Sequence, residues 1–142
     1  METVALFPGS FDPFTTGHRN IVDRALRLFD RVVIAVGVNS DKKYMFSTEE
    51  RVGRIRALFP EGGRVDVVSY SGMTVDVCRQ VGAHCILRGV RNTQDMEYEQ
   101  TVAAVNHSLA PEIDTVILLA DTEYKDISST LEREKLLHTQ CS

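Results

Sequence analysis

Arg31–Val38 reads RVVIAVGV. After the leading arginine come valine, isoleucine and alanine, broken only by Gly37, with no polar residue at every second position. A strand with one wet face alternates polar and apolar side chains, whereas this one predicts burial on both faces, as in a parallel sheet sandwiched by helices. Working outward, four more short runs rich in Val, Ile or Leu read as strands: TVALF (Thr3–Phe7), RVDVVSY (Arg64–Tyr70), AHCILRG (Ala83–Gly89) and TVILLA (Thr115–Ala120).

Helical spacing fills the intervals. From Gly17 onward, Ile21, Val22, Ala25, Leu26 and Phe29 share one face. Ser47 and Glu50 form a capping-box signal before RVGRIRALF (Arg51–Phe59), where Val52, Ile55 and Leu58 or Phe59 make a stripe. Thr74–Val81 reads as a short helix closed by Gly82, and a long one runs from about Thr93 to Leu109, ahead of Pro111. SSTLEREKLLH (Ser128–His138) supplies the last helix. Strand and helix alternate throughout, without linker, repeat or low-complexity tract. The expected fold is α/β: a Rossmann-like, open five-stranded parallel sheet with helices on both faces, one domain over residues 1–142.

Hydrophobic residues at 43% and charged residues at 25% are ordinary for a globular protein. A formal charge of −4 argues against a nucleic-acid partner, while leaving room for a local basic pocket that takes small anions. The apolar runs are too short to span a bilayer, and no basic segment precedes a signal-like stretch, so neither membrane nor export is expected. Cys78, Cys85 and Cys141 show no C-x-x-C spacing. They point to neither a zinc site nor a disulfide framework, and fit a reducing cytoplasm.

In open α/β sheets ligands bind beyond the carboxyl ends of the strands. Ser10 and His18 follow the first strand, Lys42 the second, Arg88 and Arg91 the fourth, and Ser128 to Thr130 the fifth. The first of these turns is FPGSFDPFTTGH (Phe7–His18). Gly9 permits a close turn, Pro13 stiffens it, and Gly17-His18 opens a helix whose free N–H groups favour phosphate. His18 could hydrogen-bond a phosphate oxygen with either a neutral or a charged ring. Taken singly, each residue has a plainer reading. His18 is then an incidental surface histidine, Arg88 and Arg91 are solvated, Asp41–Lys43 is a charged loop, Glu99 is an exposed neighbour of Glu97, and Ser128 to Thr130 is an N-cap. The absence of G-x-G-x-x-G weighs against nicotinamide or flavin chemistry.

Together, GSFDPFTTGH (Gly9–His18) and ISSTLER (Ile127–Arg133) resemble the T/H-x-G-H and I-S-S-T-x-x-R signatures of the nucleotidylyltransferase superfamily. NSDKKYMFSTEERV (Asn39–Val52) and ILRGVRNTQDMEYEQTVAAVN (Ile86–Asn106) narrow this resemblance to the bacterial phosphopantetheine adenylyltransferases, over about Val4 to Lys135. The resemblance implies reversible adenylyl transfer from ATP to 4′-phosphopantetheine, giving dephospho-CoA and pyrophosphate. It implies that His18 stabilises the transition state, and that Ser10, Lys42, Thr74 and Arg88 bind the acceptor. ATP contacts fall on Ser10, Phe11, His18, Gly89, Val90, Arg91 and Glu99, and on Tyr124, Lys125, Asp126, Ile127, Ser128, Ser129 and Thr130. It further implies a Mg2+ requirement with no protein ligand assigned, a homohexamer, and inhibition by CoA. Relatives continue past the last helix, whereas this sequence stops at Ser142, so the family's terminal packing is where a departure is expected.

Other readings stay open at this level. A nicotinate mononucleotide adenylyltransferase shares both end motifs, but leaves the match over Asp41–Val52 and Arg88–Asn106 unexplained. A cytidylyltransferase would carry R-T-x-G where EYKD (Glu123–Asp126) stands. A catalytically inactive nucleotide-binding regulator has no need for His18, Lys42 and Arg88 together.

Overall fold

The computed structural model describes residues 1–121, 123 and 128–141, the last four of these by backbone alone. Within them the chain alternates β1 (Val4–Gly9), α1 (Thr16–Ala25), β2 (Arg31–Gly37), α2 (Thr48–Arg56), β3 (Val65–Tyr70), α3 (Thr74–Val81), β4 (Cys85–Val90), α4 (Thr93–Leu109), β5 (Asp114–Leu119) and α5 (Ser129–Cys141). The sheet is parallel in the order β3-β2-β1-β4-β5. Strand order therefore reverses between β1 and β4, the expected position of a ligand crevice.

The unbroken apolar strands have the predicted cause. On one face, Ala5 and Phe7 of β1 pack with Val32, Ile34 and Val36 of β2 against Ile21, Val22 and Ala25 of α1 and Ile55 of α2. The other face joins Val4, Leu6, Val33 and Ala35 to Val75 and Cys78 of α3 and to Ala110 and Ile113 after α4. Removing so many aliphatic side chains from water on both faces is the main source of stability.

Pro8 shapes the crevice. Successive residues of a strand turn their backbone groups to opposite neighbours, and the Val4 carbonyl accepts the His84 N–H at 2.9 Å. Val4, Leu6 and Pro8 therefore face β4. Pro8 lacks the N–H needed there. Registered pairing of β1 with β4 stops at Leu6↔Ile86, while pairing with β2 continues to Gly9↔Val36.

Several details differ from the sequence reading. β1 reaches Gly9, and Arg88 lies inside β4 rather than after it. Helix α1 ends at Ala25, so Leu26 to Leu28 continue as turns, and Leu26 and Phe29 still pack on the core. At α2, Ser47 caps the Glu50 N–H at 3.1 Å, but the Glu50 carboxylate bonds the Ser47 hydroxyl rather than its backbone. A reciprocal capping box forms instead at Thr15 and His18.

Cys78 and Cys85 are free and buried, and burial pushes both thiols up to about 11. The side chain of Cys141 lies outside the described residues. Thiolate is the reactive form, so an alkylating reagent at pH 8 is expected to spare Cys78 and Cys85 until the protein is unfolded. Peptide mass spectrometry with and without denaturant checks this. Cys78→Ser should lower stability by about 1–3 kcal/mol through an ill-paired buried hydroxyl, without changing turnover of the folded enzyme.

Candidate active site

Two cavities open at the carboxyl ends of β1 and β4. One, of about 290 Å³, is lined by Lys42, Tyr44, Thr74, Val102 and Asn106. The other, of about 400 Å³, is lined by Phe11, His18, Gly89, Arg91 and the start of α5 at Ser128 to Thr130. They share Pro8, Gly9, Ser10, Arg88, Tyr98 and Glu99, so their common wall is the β1–β4 crevice itself.

His18 is the third residue of α1 and carries half of its N-terminal cap. Its Nδ1 accepts the Thr15 N–H at 2.9 Å, while the Thr15 hydroxyl accepts the His18 N–H at 3.3 Å. An Nδ1 that accepts carries no proton, so the neutral ring holds its hydrogen on Nε2 and presents a single donor. Phe11 and Phe14 pack against the imidazole with centroids at 5.0 and 5.3 Å, and Phe7 at 6.2 Å. Burial first, then the positive charges of Arg88 and Arg91, lower its pKa from 6.5 to about 4. Of the two protonation states open to the sequence, the neutral one is selected.

Arg88 donates from Nε to both Glu99 oxygens at 3.0 Å, and its Nη2 lies 2.9 Å from Oε1. Its Nη1 donates to the Pro8 carbonyl at 2.6 Å, the acceptor that the broken ladder leaves facing β4. Glu99 is the buried residue of α4, not an exposed neighbour of Glu97. Its carboxylate lines both cavities but is committed to Arg88. Arg91 bonds Asp95, whose own N–H is capped by Asn92. Lys42 Nζ donates to the Ser10 hydroxyl at 3.3 Å, bringing the ends of β1 and β2 together. The Thr74 hydroxyl pairs with that of Tyr70 at 3.3 Å.

The structure thus gathers Ser10, Phe11, His18, Lys42, Thr74, Arg88, Gly89, Arg91, Glu99 and Ser128 to Thr130 around one crevice. Val90 is not brought there. Its side chain is buried and its carbonyl accepts the Ala120 N–H at 2.8 Å. Tyr124, Lys125, Asp126 and Ile127 lie outside the described residues.

Residues 6–135 match the family described as cytidylyltransferase-like. Over 138 residues the chain is 44% identical to the phosphopantetheine adenylyltransferase of Leptospira biflexa, covering 97% of this chain and 86% of that protein. Over 134 residues it is 48% identical to the enzyme of that name from Flavobacterium johnsoniae, covering 94% and 88% of the two chains. The chain belongs to the phosphopantetheine adenylyltransferase family. Membership makes it a nucleotidyltransferase of coenzyme A biosynthesis. The fold is shared with a bifunctional NMN adenylyltransferase/ADP ribose pyrophosphatase from Francisella tularensis at 18% identity. The TM-score there is 0.71 over 95% of this chain and 42% of that one. No described helix is long and apolar enough to cross a membrane.

Several residues of this adenylyltransferase site were not singled out by sequence reasoning. The buried Asp12 carboxylate accepts the Met45 and Phe46 N–H groups at 2.7 and 2.9 Å. Arg133 Nη1 reaches the Asp12 carbonyl at 2.7 Å, and the Ser129 hydroxyl reaches that of Pro13 at 2.9 Å. The arginine of the I-S-S-T-x-x-R motif therefore docks α5 onto the first loop. Asp12 and Arg133 stand inside quoted motifs, but their partners are backbone groups far away in sequence, which spacing does not reveal.

The His18 geometry has a direct spectroscopic consequence. Imidazole 15N resonances should show the Nε2–H tautomer and no titration of His18 between pH 5 and 8. Because the folded pKa lies below the unfolded one, the unfolded chain binds more protons between about pH 4 and 6.5. This site's contribution to stability is therefore lost as pH falls through that window. His18→Gln should flatten the dependence in denaturant titrations across the same range.

Proposed function

We propose that the enzyme transfers an adenylyl group directly, by in-line attack of a 4′-phosphopantetheine phosphate oxygen on the α-phosphorus of ATP. The new bond joins that oxygen to the α-phosphorus, the bond from the α-phosphorus to the bridging oxygen breaks, and pyrophosphate leaves with the electron pair. In the reverse reaction pyrophosphate attacks the same phosphorus of dephospho-CoA, giving ATP and releasing 4′-phosphopantetheine. The observation that carries this reading is the common wall of the two cavities at Ser10 and Arg88. The phosphate ends of two substrates would meet there.

A phosphate monoester is largely ionised at neutral pH, its second pKa being about 6, so no general base is needed. The task is to hold two anions together and to meet charge as it develops. We assign Lys42, Arg88, Ser10 and Thr74 to the acceptor. Arg91, Phe11, Gly89, Glu99, the hydroxyls of Ser128 to Thr130, and the span Tyr124 to Ile127 go to ATP. Val90 would contribute backbone at most. His18 Nε2–H is directed to an α-phosphate oxygen. With Nδ1 already accepting from Thr15, the ring suits a donor rather than a nucleophile or base, which supports transfer without a covalent intermediate. Mg2+ would be carried by the ATP phosphates and neutralise their charge.

The wider assignment is a cytoplasmic, single-domain protomer of a homohexamer that CoA inhibits. Exposed apolar side chains at Val105 and Leu109, one turn apart on α4, support burial of that helix face between subunits.

Four variants test the assignments by steady-state release of pyrophosphate with ATP, Mg2+ and 4′-phosphopantetheine. His18→Ala should lower kcat by about 10²–10³-fold, as loss of one transition-state donor does, with a much smaller change in ATP affinity. Lys42→Ala and Arg88→Ala should raise the acceptor KM far more than the ATP KM. The acid limb of the rate profile should persist in His18→Gln, because it follows the acceptor phosphate. Near-normal kcat in His18→Ala would remove that residue from the chemistry, and equal losses for both substrates would remove Lys42 and Arg88 from the acceptor side.

A further inference from the structure

Among the described residues Arg51 is the largest fully buried side chain, 1% exposed, and no carboxylate lies within ion-pair distance of it. A buried cation without a counter-ion is costly and calls for a compensating reason. Its bonds supply one. Nη1 donates to the Ser10 carbonyl at 2.8 Å and to the Gly37 carbonyl at 2.9 Å, and Nη2 to the Thr48 hydroxyl at 3.3 Å. The guanidinium carbon stacks 3.8 Å above the centre of the Tyr44 ring, and the Tyr44 hydroxyl in turn accepts the Asn39 N–H at 3.0 Å. Nε is buried without a partner among the described residues, so geometry at the carbonyls takes precedence over full satisfaction of the side chain.

Each of these contacts falls where β1 and β2 end. The β1–β2 ladder stops at Gly9↔Val36, and Arg51 joins the two chains at the next residues, Ser10 and Gly37. Through Tyr44 it also holds the loop that carries Lys42. The side chains of Ser10 and Lys42 touch only if both backbones are set correctly. Arg51 itself lines neither cavity, so it acts at one remove.

We propose that Arg51 is a positioning residue for the acceptor phosphate, a planar buried cation that sets the distance between Ser10 and Lys42. It rests on the assignment of those two residues to the acceptor given above. A guanidinium is needed because one flat group must bond two carbonyls in its plane while stacking on a ring with its face, and an ammonium cannot do both. The residue's charge is secondary to its shape.

The test compares Arg51→Lys, Thr48→Val and Lys42→Ala with wild type. Rates are expressed per folded molecule from circular-dichroism melts, and KM is measured for each substrate. Thr48 lies outside both cavities, and valine preserves its shape, so that variant only unties one guanidinium nitrogen. Arg51→Lys should raise the acceptor KM and lower kcat by about tenfold each, the order of one charge-assisted hydrogen bond, with the ATP KM within about twofold of wild type. Thr48→Val should raise the acceptor KM by about two- to threefold with the same selectivity, and it decides the question if Arg51→Lys does not fold. Unchanged constants, or equal changes for ATP and acceptor, would show that Arg51 only supports the fold and would overturn the proposal. A raised acceptor KM in Lys42→Ala alone rejects the role of Arg51 and keeps the acceptor assignment. An unchanged one in Lys42→Ala rejects the assignment itself.

Discussion

The Arg88 guanidinium stands where a backbone hydrogen bond is missing. Pro8 cannot donate to β4, registered pairing of the two strands stops at Leu6, and the Pro8 carbonyl is taken by Nη1 of Arg88 at 2.6 Å. The crevice at the reversal of strand order is thus opened by a proline and bridged by a cation. Glu99 completes the arrangement from α4 by occupying Nε and Nη2. Once the carboxylate fixes the plane of the guanidinium, the remaining donors of Arg88 have a defined direction, which is what recognition of a phosphate requires. Both cavities include this bridge in their walls.

The same positive charge adds to what burial does at His18. Three phenylalanine rings deny the imidazole solvent, and one more cation beside Arg88 and Arg91 would be repelled, so the ring stays neutral to about pH 4. The helix cap then decides which nitrogen holds the proton. One side chain therefore does two things with one geometry: it closes the N-terminus of α1 and leaves a fixed Nε2–H donor beside the crevice. A charged ring would have bound ATP phosphates strongly in the ground state. A neutral donor contributes most where charge concentrates on one oxygen, which favours the transition state.

Around this centre the loops are held by polar groups reaching across the chain. The Asp12 carboxylate holds Met45 and Phe46, Arg133 and Ser129 hold the carbonyls of residues 12 and 13, and Arg51 joins Ser10 to Gly37. Most of these bonds end on backbone, so they fix chain position rather than recognise a ligand. The connections after β1 and β2 and the first turns of α5 are thereby tied to one another. Rigid placement matters here because reactants that repel one another gain most from being held at a fixed separation.

The sequence by itself determined the fold class and the location of the site. Unbroken apolar strands such as VVIAV can be satisfied only by helices on both faces, and a parallel sheet places its loops, and therefore Ser10, Lys42 and Ser128, at one end. Those are consequences of local pattern, and local pattern is written along the chain. Tertiary structure decided the electrostatics. That Glu99 is buried against Arg88 rather than exposed beside Glu97, and that Arg51 binds carbonyls rather than solvent, depends on atoms many residues away. The protonation of His18 was equally out of reach, because it follows from the burial of the ring and from two arginines brought near only by folding. Apolar burial follows a period that can be read along the chain, whereas the pairing of a buried charge is set by whichever donor or acceptor the folded chain brings within about 3 Å.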